Sequence, residues 1–412
     1  MTVNKVELQA EEILERFRSY CVIETTSLDD AKEQPSNPLE LNLARKLVQE
    51  LTDLGLEEIV LTEYGYVTAT LPANTEGQPV IGLLAHMDTS NECNGKDVKV
   101  LLHKDYAGGN ISLNENTVLS PADFPELEQY VGQDIISSDG TTLLGADDKA
   151  GVAAIMTALK YFVSHPELKH GKLRIAFTPD EEIGRGTEHF PLEDFGADFA
   201  YTIDGGEMGE LNYETFNATN VHVTFHGVSV HPGTAKNKMR NAVSMAAEWQ
   251  MLLPAGERPE YTELYEGFYH TLRIVGGTDR VEIDMILRDH DASKLAERKQ
   301  VITSMVEVFN AKYGAGAVEA RLVDSYPNMR QFIEPVYHIV ERAVAAMAAA
   351  GVEAKLLPIR GGTDGSRLSE LGLPCPNIFT GGHNFHGRFE YIPLQSLVKC
   401  CEVVIRLASA EA

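Results

Sequence analysis

Two adjacent carboxylates, Asp147 and Asp148, stand in the octapeptide Leu144-Gly145-Ala146-Asp147-Asp148-Lys149-Ala150-Gly151, just before an apolar, Ala-rich run at 152–159 with helical spacing. Side by side they repel unless something positive answers them. A helix dipole does part of this, Lys149 is a second candidate, and a divalent cation would do far more. The plain alternative is a helix N-cap with hydrated acids, and the octapeptide alone does not decide. His86, Asp88, Glu181, Glu182, Asp204 and His386 tip the balance. Zinc takes His, Asp and Glu, and a catalytic zinc keeps one position open for water. Two imidazoles (His86, His386) and three carboxylates (Asp147, Glu182, Asp204) are too many for one such ion. They suit two ions about 3.5–4 Å apart that share a carboxylate. Asp147 is the natural bridge, because it lies between the others in sequence. The neighbours Glu181 and Glu182 cannot easily point the same way, so one binds metal while the other faces the attacking water as general base. Asp88, two residues beyond His86 on an extended segment, lies on the same side and can orient its imidazole.

These groups fall at the ends of predicted strands. Residues 79–85 form a continuous apolar run, as in a strand buried on both faces, and end at His86. Residues 172–177 lead to Glu181-Glu182, residues 199–203 lead to Asp204, and residues 377–379 lead to the loop containing His386. Open α/β sheets bind ligands just beyond the carboxyl ends of their strands. One such coincidence is ordinary, but four are not. Helices are predicted at 10–20, 39–54, 335–350 and 394–407, strands at 58–62 and 66–71, and a polar loop at 25–38. Between about 212 and 328 the pattern becomes β-α-β-β-α-β, the split ferredoxin-like order. The expectation is an α/β mixed-sheet domain, 1–211 with 329–412, into which an α+β ferredoxin-like domain, 212–328, is inserted.

With 412 residues, two domains are the prior, and 43% hydrophobic with 23% charged residues is a globular composition. A net charge of −26 argues against nucleic acid or an anionic membrane surface as partner. No apolar run approaches the roughly 20 residues of a membrane span, and the leading stretch MTVNKVELQAEEILERF lacks a signal-peptide core. Five cysteines without a C-x-x-C pair suggest neither a disulfide framework nor a cysteine metal site, and are read as small buried apolar residues. The expected location is the cytoplasm.

In order along the chain, HMDTS, GADDKAG, TPDEEIG, TIDGGE, HPGTAK, PIRGGTDG and GGHNFHG resemble the M20 family of dinuclear zinc peptidases, from about Leu14 to the C-terminus. HMD and DEE are shared across that family, whereas GADDKAG, VHPGTAK and PIRGGTDG resemble its tripeptide-cleaving branch. The resemblance implies a zinc-exopeptidase domain with an inserted lid, two Zn2+ per subunit, and removal of the N-terminal residue from tripeptides. It implies that Asp147 bridges the metals, that His86 and Asp204 complete one site, and that Glu182 and His386 complete the other. Glu181 is then the general base and Asp88 the partner of His86. His231 resembles a lid histidine that stabilises the oxyanion, in many members across a dimer interface, so a homodimer through the lid is expected. Arg288 matches a lid arginine and Arg360 a sheet-domain arginine, both candidates for a substrate carboxylate. A cis peptide is implied between Asp147 and Asp148. The chain departs from the family pattern at His383, where relatives usually carry an aromatic. His386 is favoured as the ligand because Gly387 and Glu390 follow it as in relatives, with His383 as the competitor. The alternatives are a related M20 dipeptidase, an N-acyl amino acid deacylase, or a non-catalytic zinc scaffold, which would have no use for Glu181.

Overall fold

The computed structural model describes residues 6–410. Residues 1–5, part of the leading stretch considered above for a signal peptide, and residues 411–412 lie outside the described residues. The chain forms two compact units. One runs as far as Tyr213 and resumes at Phe332–Leu357 and again from Thr363; the other comprises Glu214–Gln331 and Pro358–Gly362. The short return through Arg360, which the sequence assigns to the sheet domain, belongs to the second unit for a physical reason. Ile359 N–H donates to the Glu214 carbonyl at 2.8 Å, and the Arg360 guanidinium lies over the rings of Phe216 and Phe268, 5.1 and 5.7 Å from their centroids.

In the first unit, eight strands form one mixed sheet in the spatial order Glu57–Leu61, Val67–Leu71, Leu173–Thr178, Ile81–His86, Phe199–Gly205, Asn377–Phe379, Glu210–Asn212, Lys355–Leu356. The four strands from Leu173–Thr178 to Asn377–Phe379 are mutually parallel, with antiparallel neighbours on both flanks. Nearly every residue of the four is buried. This accounts for the unbroken apolar run of residues 79–85, since a parallel strand covered on both faces has no polar side to alternate with. Their carboxyl ends, at His86, Thr178, Gly205 and Phe379, therefore emerge along one edge.

Helix Ala146–Ser164 packs on the strands Ile81–His86 and Phe199–Gly205 and is covered by helices Ala10–Cys21 and Leu394–Ala408. It is buried almost all round, which its Ala and Gly content permits. At Gly151 a Cβ would stand 1.9 Å from the Ile203 carbonyl oxygen and 2.4 Å from Asp148 Oδ1, so no side chain fits between helix and strand. Small elements escape prediction, among them the sheet Tyr391–Pro393, Ile135–Ser137, Leu101–His103, the hairpin Ile111–Ser112 with Val118–Leu119, and the strands Glu210–Asn212 and Lys355–Leu356. Segments of two or three residues are too short to set up a period.

The second unit is a four-stranded antiparallel sheet ordered Phe268–Gly276, Arg280–Asp289, Asn217–His226, Val318–Tyr326. Second, third, first and fourth in chain order is the split βαβ arrangement. Helices Ala242–Leu252 and Ala292–Tyr313 cover one face, where Val281, Ile283, Met285 and Leu287 alternate inward from one strand to meet Phe225, Trp249 and Phe309. Among the described residues no helix is long and apolar enough to cross a membrane.

The tight approach at Gly151 gives a direct test. Gly151→Ala should lower stability by about 1–3 kcal/mol through overpacking, read as a lower denaturation midpoint. An unchanged midpoint would mean that helix and strand have room to separate.

Candidate metal centre

His86 is the last residue of its strand and is buried. Its Nδ1 lies 3.0 Å from the Asp88 carbonyl oxygen and 3.3 Å from Asp88 Oδ1, so that nitrogen carries the proton. Nε2 is then the nitrogen offered to Asp147 Oδ1, at 2.9 Å, and Asp204 Oδ1, at 3.5 Å. On the other side His386 Nε2 lies 3.3 Å from Asp147 Oδ2 and 2.9 Å from Glu182 Oε2. The two oxygens of one carboxylate thus face two separate histidine–acid pairs. Asp88 closes the arrangement from behind, its Oδ1 and Oδ2 accepting the N–H groups of Glu181 and Glu182 at 3.0 and 3.1 Å. Glu182 Oε1 is buried without a hydrogen-bond partner among the described residues. A buried orphan acceptor is costly, and a cation beside it would remove the cost. Ligand atoms of His86, Asp147 and Glu182 lie within 4.8 Å of one another, as do those of His86, Asp148 and Asp204. The donor set fits divalent cations.

The paired aspartates divide the two roles left open by their sequence. The peptide between them is cis, and both have non-helical backbone angles, so the regular helix starts after them. Asp148 turns inward, accepting from Gly151 N–H at 3.1 Å and His86 N–H at 3.2 Å, which is helix capping. Asp147 faces the histidines. Its own N–H, with those of Leu144 and Gly145, donates to the buried Glu390 carboxylate at 3.1, 2.6 and 2.8 Å. Lys149, a sequence candidate for neutralising the pair, instead donates to the Ile23 carbonyl at 2.7 Å. Burial lowers its pKa to about 8.

Burial disfavours every charge here, and the local contacts decide which groups resist it. Against burial, hydrogen bonds to Asp147, Asp204 and Asp88 hold the His86 pKa well above its usual value. His386 is raised to about 11 by hydrogen bonds to Asp147 and Glu182. Both histidines keep Asp147 below the ordinary carboxylate range despite its burial. Burial raises Glu182 to about 7, Asp204 to about 6, and Glu181 well above the usual value.

His383 is elsewhere engaged. Its Nε2 pairs with Tyr130 Oη at 2.7 Å, its ring stacks on Tyr391 at 4.7 Å, and burial lowers its pKa to about 4. Of the two histidines, only His386 contacts the acidic cluster in the structure. Within the second unit, His231 Nδ1 accepts from Gly233 N–H at 3.1 Å, which puts the ring proton on Nε2. Arg288 donates to the carbonyls of Thr219 and Leu287 through Nη1, lies over the Tyr326 ring and is hydrogen-bonded to the Tyr326 side chain. Arg360 is more fully committed, with Nη1 on the carbonyls of Leu264 and Glu266 and Nη2 on Thr262 Oγ1. The Glu390 cradle carries no sequence signal, because its three donors lie about 245 positions upstream.

Residues 142–410 match peptidase family M20/M25/M40. A relative named peptidase T from Listeria monocytogenes serotype 4b is 54% identical over 401 residues, covering 97% of this chain and 98% of its own. Among solved structures, an aminopeptidase PepT from Bacillus cereus shares the fold with a TM-score of 0.76 at 24% identity, covering 97% of this chain and 98% of its own. A dinuclear metal-binding peptidase of the M20 family from Bacillus subtilis shares it with a TM-score of 0.63 at 17% identity, covering 97% of each chain.

The two histidines of GGHNFHG should separate cleanly in a metal assay. His386→Ala is expected to lower the bound metal measured by elemental analysis, while His383→Gln leaves it unchanged. Loss of metal from the His383 variant alone would reverse the assignment.

Proposed function

The chain belongs to peptidase family M20/M25/M40 and is a hydrolase of peptide bonds, and within that family we propose that it is a tripeptide aminopeptidase. The observation that carries this is Asp147, each of whose oxygens faces its own histidine–acid pair beside Glu181. Identity of 54% to a peptidase T over nearly the whole of both chains supports the tripeptide preference.

His86, Asp147 and Asp204 would hold one ion, and Asp147, Glu182 and His386 the other. Zinc is the proposed metal, and manganese or cobalt would accept the same donors. Bound there, the pair supplies Lewis acidity that polarises the scissile carbonyl and eases deprotonation of the attacking water. Glu181 takes the proton from that water as its oxygen adds to the carbonyl carbon. Its buried setting favours the protonated form, which then delivers the same proton to the departing amine as the C–N bond breaks. His231, protonated on Nε2, is assigned the developing oxyanion. Asp88 holds both the His86 ring and the Glu181–Glu182 backbone in register.

A tripeptide preference needs a length ruler, for which Arg288 is the stronger candidate to hold the free C-terminus, since the Arg360 fork already serves the 262–266 loop. Five free cysteines fit the proposed cytoplasmic location. The proposed homodimer through the second unit is supported by its edge strand Phe268–Gly276, where Leu272, Ile274 and Val275 are half exposed.

Glu181→Gln should retain metal and lose about 10²- to 10⁴-fold in kcat on a tripeptide. The wild-type enzyme should prefer the free tripeptide to its amidated, N-acetylated and dipeptide counterparts, and chelation should abolish the activity. A dipeptidase or deacylase would invert that order, and a scaffold would be inert throughout. Arg288→Ala should narrow the preference for free over amidated tripeptide; if the ratio stays put, the ruler lies elsewhere.

A further inference from the structure

One short loop, residues 383–391, reaches the acidic cluster twice. Its neck is closed by a pair of backbone hydrogen bonds, His383 N–H to the Tyr391 carbonyl at 2.8 Å and Tyr391 N–H to the His383 carbonyl at 3.1 Å. Inside it Glu390 N–H donates to the Gly387 carbonyl at 3.2 Å, and Asn384 Nδ2 crosses to the Phe389 carbonyl, also at 3.2 Å. Asn384 and His386 take φ of +56° and +62°, a backbone that non-glycine residues hold only where the surroundings fix it. Where the loop begins, the chain lies against the segment that carries Asp147: a Cβ added at Gly382 would stand 3.6 Å from that of Ala146.

From this loop, two side chains hold Asp147 by opposite ends. His386 Nε2 faces its Oδ2 at 3.3 Å. Glu390, 1% exposed, accepts its backbone N–H on Oε1 at 3.1 Å and the N–H groups of Leu144 and Gly145 on Oε2 at 2.6 and 2.8 Å. These three groups precede the regular helix, where no helical carbonyl can accept them, so the carboxylate stands in for one. With both oxygens engaged by amides, Glu390 is not free to take a cation itself. The plain reading is a tie between two loops. The tie ends, however, on the peptide group of the residue whose carboxylate lies between two histidine–acid pairs, and it starts from the closed loop that carries one of those histidines. Any slack in it moves Asp147 and His386 relative to each other.

We infer that Glu390 is a positioning residue for the metal centre: by holding the 144–147 backbone from the loop that carries His386, it fixes the bridging carboxylate and a terminal ligand as one unit. This rests on the proposed metal assignment of Asp147 and His386. The test is zinc binding by the full-length protein, read by competition with a chromophoric chelator. Glu390→Gln keeps the shape of the side chain, but whichever way its amide is turned, the NH2 meets at least one of the three N–H groups. It should raise the zinc dissociation constant about 10- to 100-fold. The visible ligand-field bands of the cobalt-loaded variant should shift as well, a readout of geometry at the ion that a general loss of stability does not move. Wild-type zinc affinity in a folded Glu390→Gln protein overturns the inference, as does lost affinity with an unchanged cobalt spectrum. Should Glu390→Gln fail to fold, Asn384→Gly cuts the cross-loop bond while tolerating the positive φ. A dissociation constant raised about threefold or more then supports the inference, and a smaller change overturns it. His386→Ala run alongside separates the two ideas. Unchanged zinc affinity in that variant refutes the metal assignment and the inference with it, whereas a defect there beside a normal Glu390→Gln refutes the role of Glu390 alone.

Discussion

Mutual repulsion of buried carboxylates is the constraint that the first unit is built to contain. Like charges about 4 Å apart repel by about 4 kcal/mol even at an effective dielectric of about 20. Asp88, Asp147, Asp148, Asp180, Glu181, Glu182, Asp204 and Glu390 crowd one edge of a single sheet. A fold of ordinary stability, about 5–15 kcal/mol, holds such a set only if nearly every negative oxygen is answered. The parallel arrangement does the gathering, because it brings four strand ends out side by side.

Glu181 aside, these acids fall into two groups according to what answers them. Asp88, Asp148, Asp180 and Glu390 are filled by backbone N–H groups. Their task is to fix loops. Asp147, Asp204 and Glu182 face imidazoles, and Glu182 keeps one oxygen with no donor at all among the described residues. Backbone amides cannot move to follow a ligand, so a carboxylate saturated by them is spent as structure. A carboxylate left to imidazoles and empty space is available for cations. That criterion explains why, of two adjacent aspartates, Asp148 caps a helix while Asp147 faces the cluster.

Much of this was legible in the sequence wherever long periods or strong residue chemistry carried it. The strand Ile81–His86 announces itself as an apolar run, and His86, Glu181, Glu182 and Asp204 stand at or just past the ends of buried strands. The second unit's β-α-β-β-α-β order reads directly from alternating and helical segments. Illegible were the contacts made between distant loops. Glu390 lies more than 240 positions from the N–H groups it holds, and Asp180 lies 144 from the Ser36 N–H that it accepts. No local period encodes such a pairing, because either partner alone looks like a hydrated acid. The three-stranded sheet through Ile135–Ser137 was equally hidden, its strands being too short for alternation to register.

Residue type also fails to reveal whether a side chain is already employed. Arg288 and Arg360 look equivalent in sequence, since each offers a planar fork suited to a carboxylate. Their surroundings differ. Arg360 spends Nη1 and Nη2 on the 262–266 loop and lies over two phenylalanine rings. Pulling it onto a substrate would strand two backbone carbonyls that now have a charged donor, a loss of about 1.5–3 kcal/mol for each such bond. Arg288 likewise donates to two backbone carbonyls, at 3.3 and 3.0 Å, both through Nη1, and its further hydrogen-bond partner is the Tyr326 side chain, over whose ring it lies. A side chain that takes up a substrate must first give up such bonds, and the same reasoning sets the stacked and hydrogen-bonded His383 apart from His386, which faces the acidic cluster.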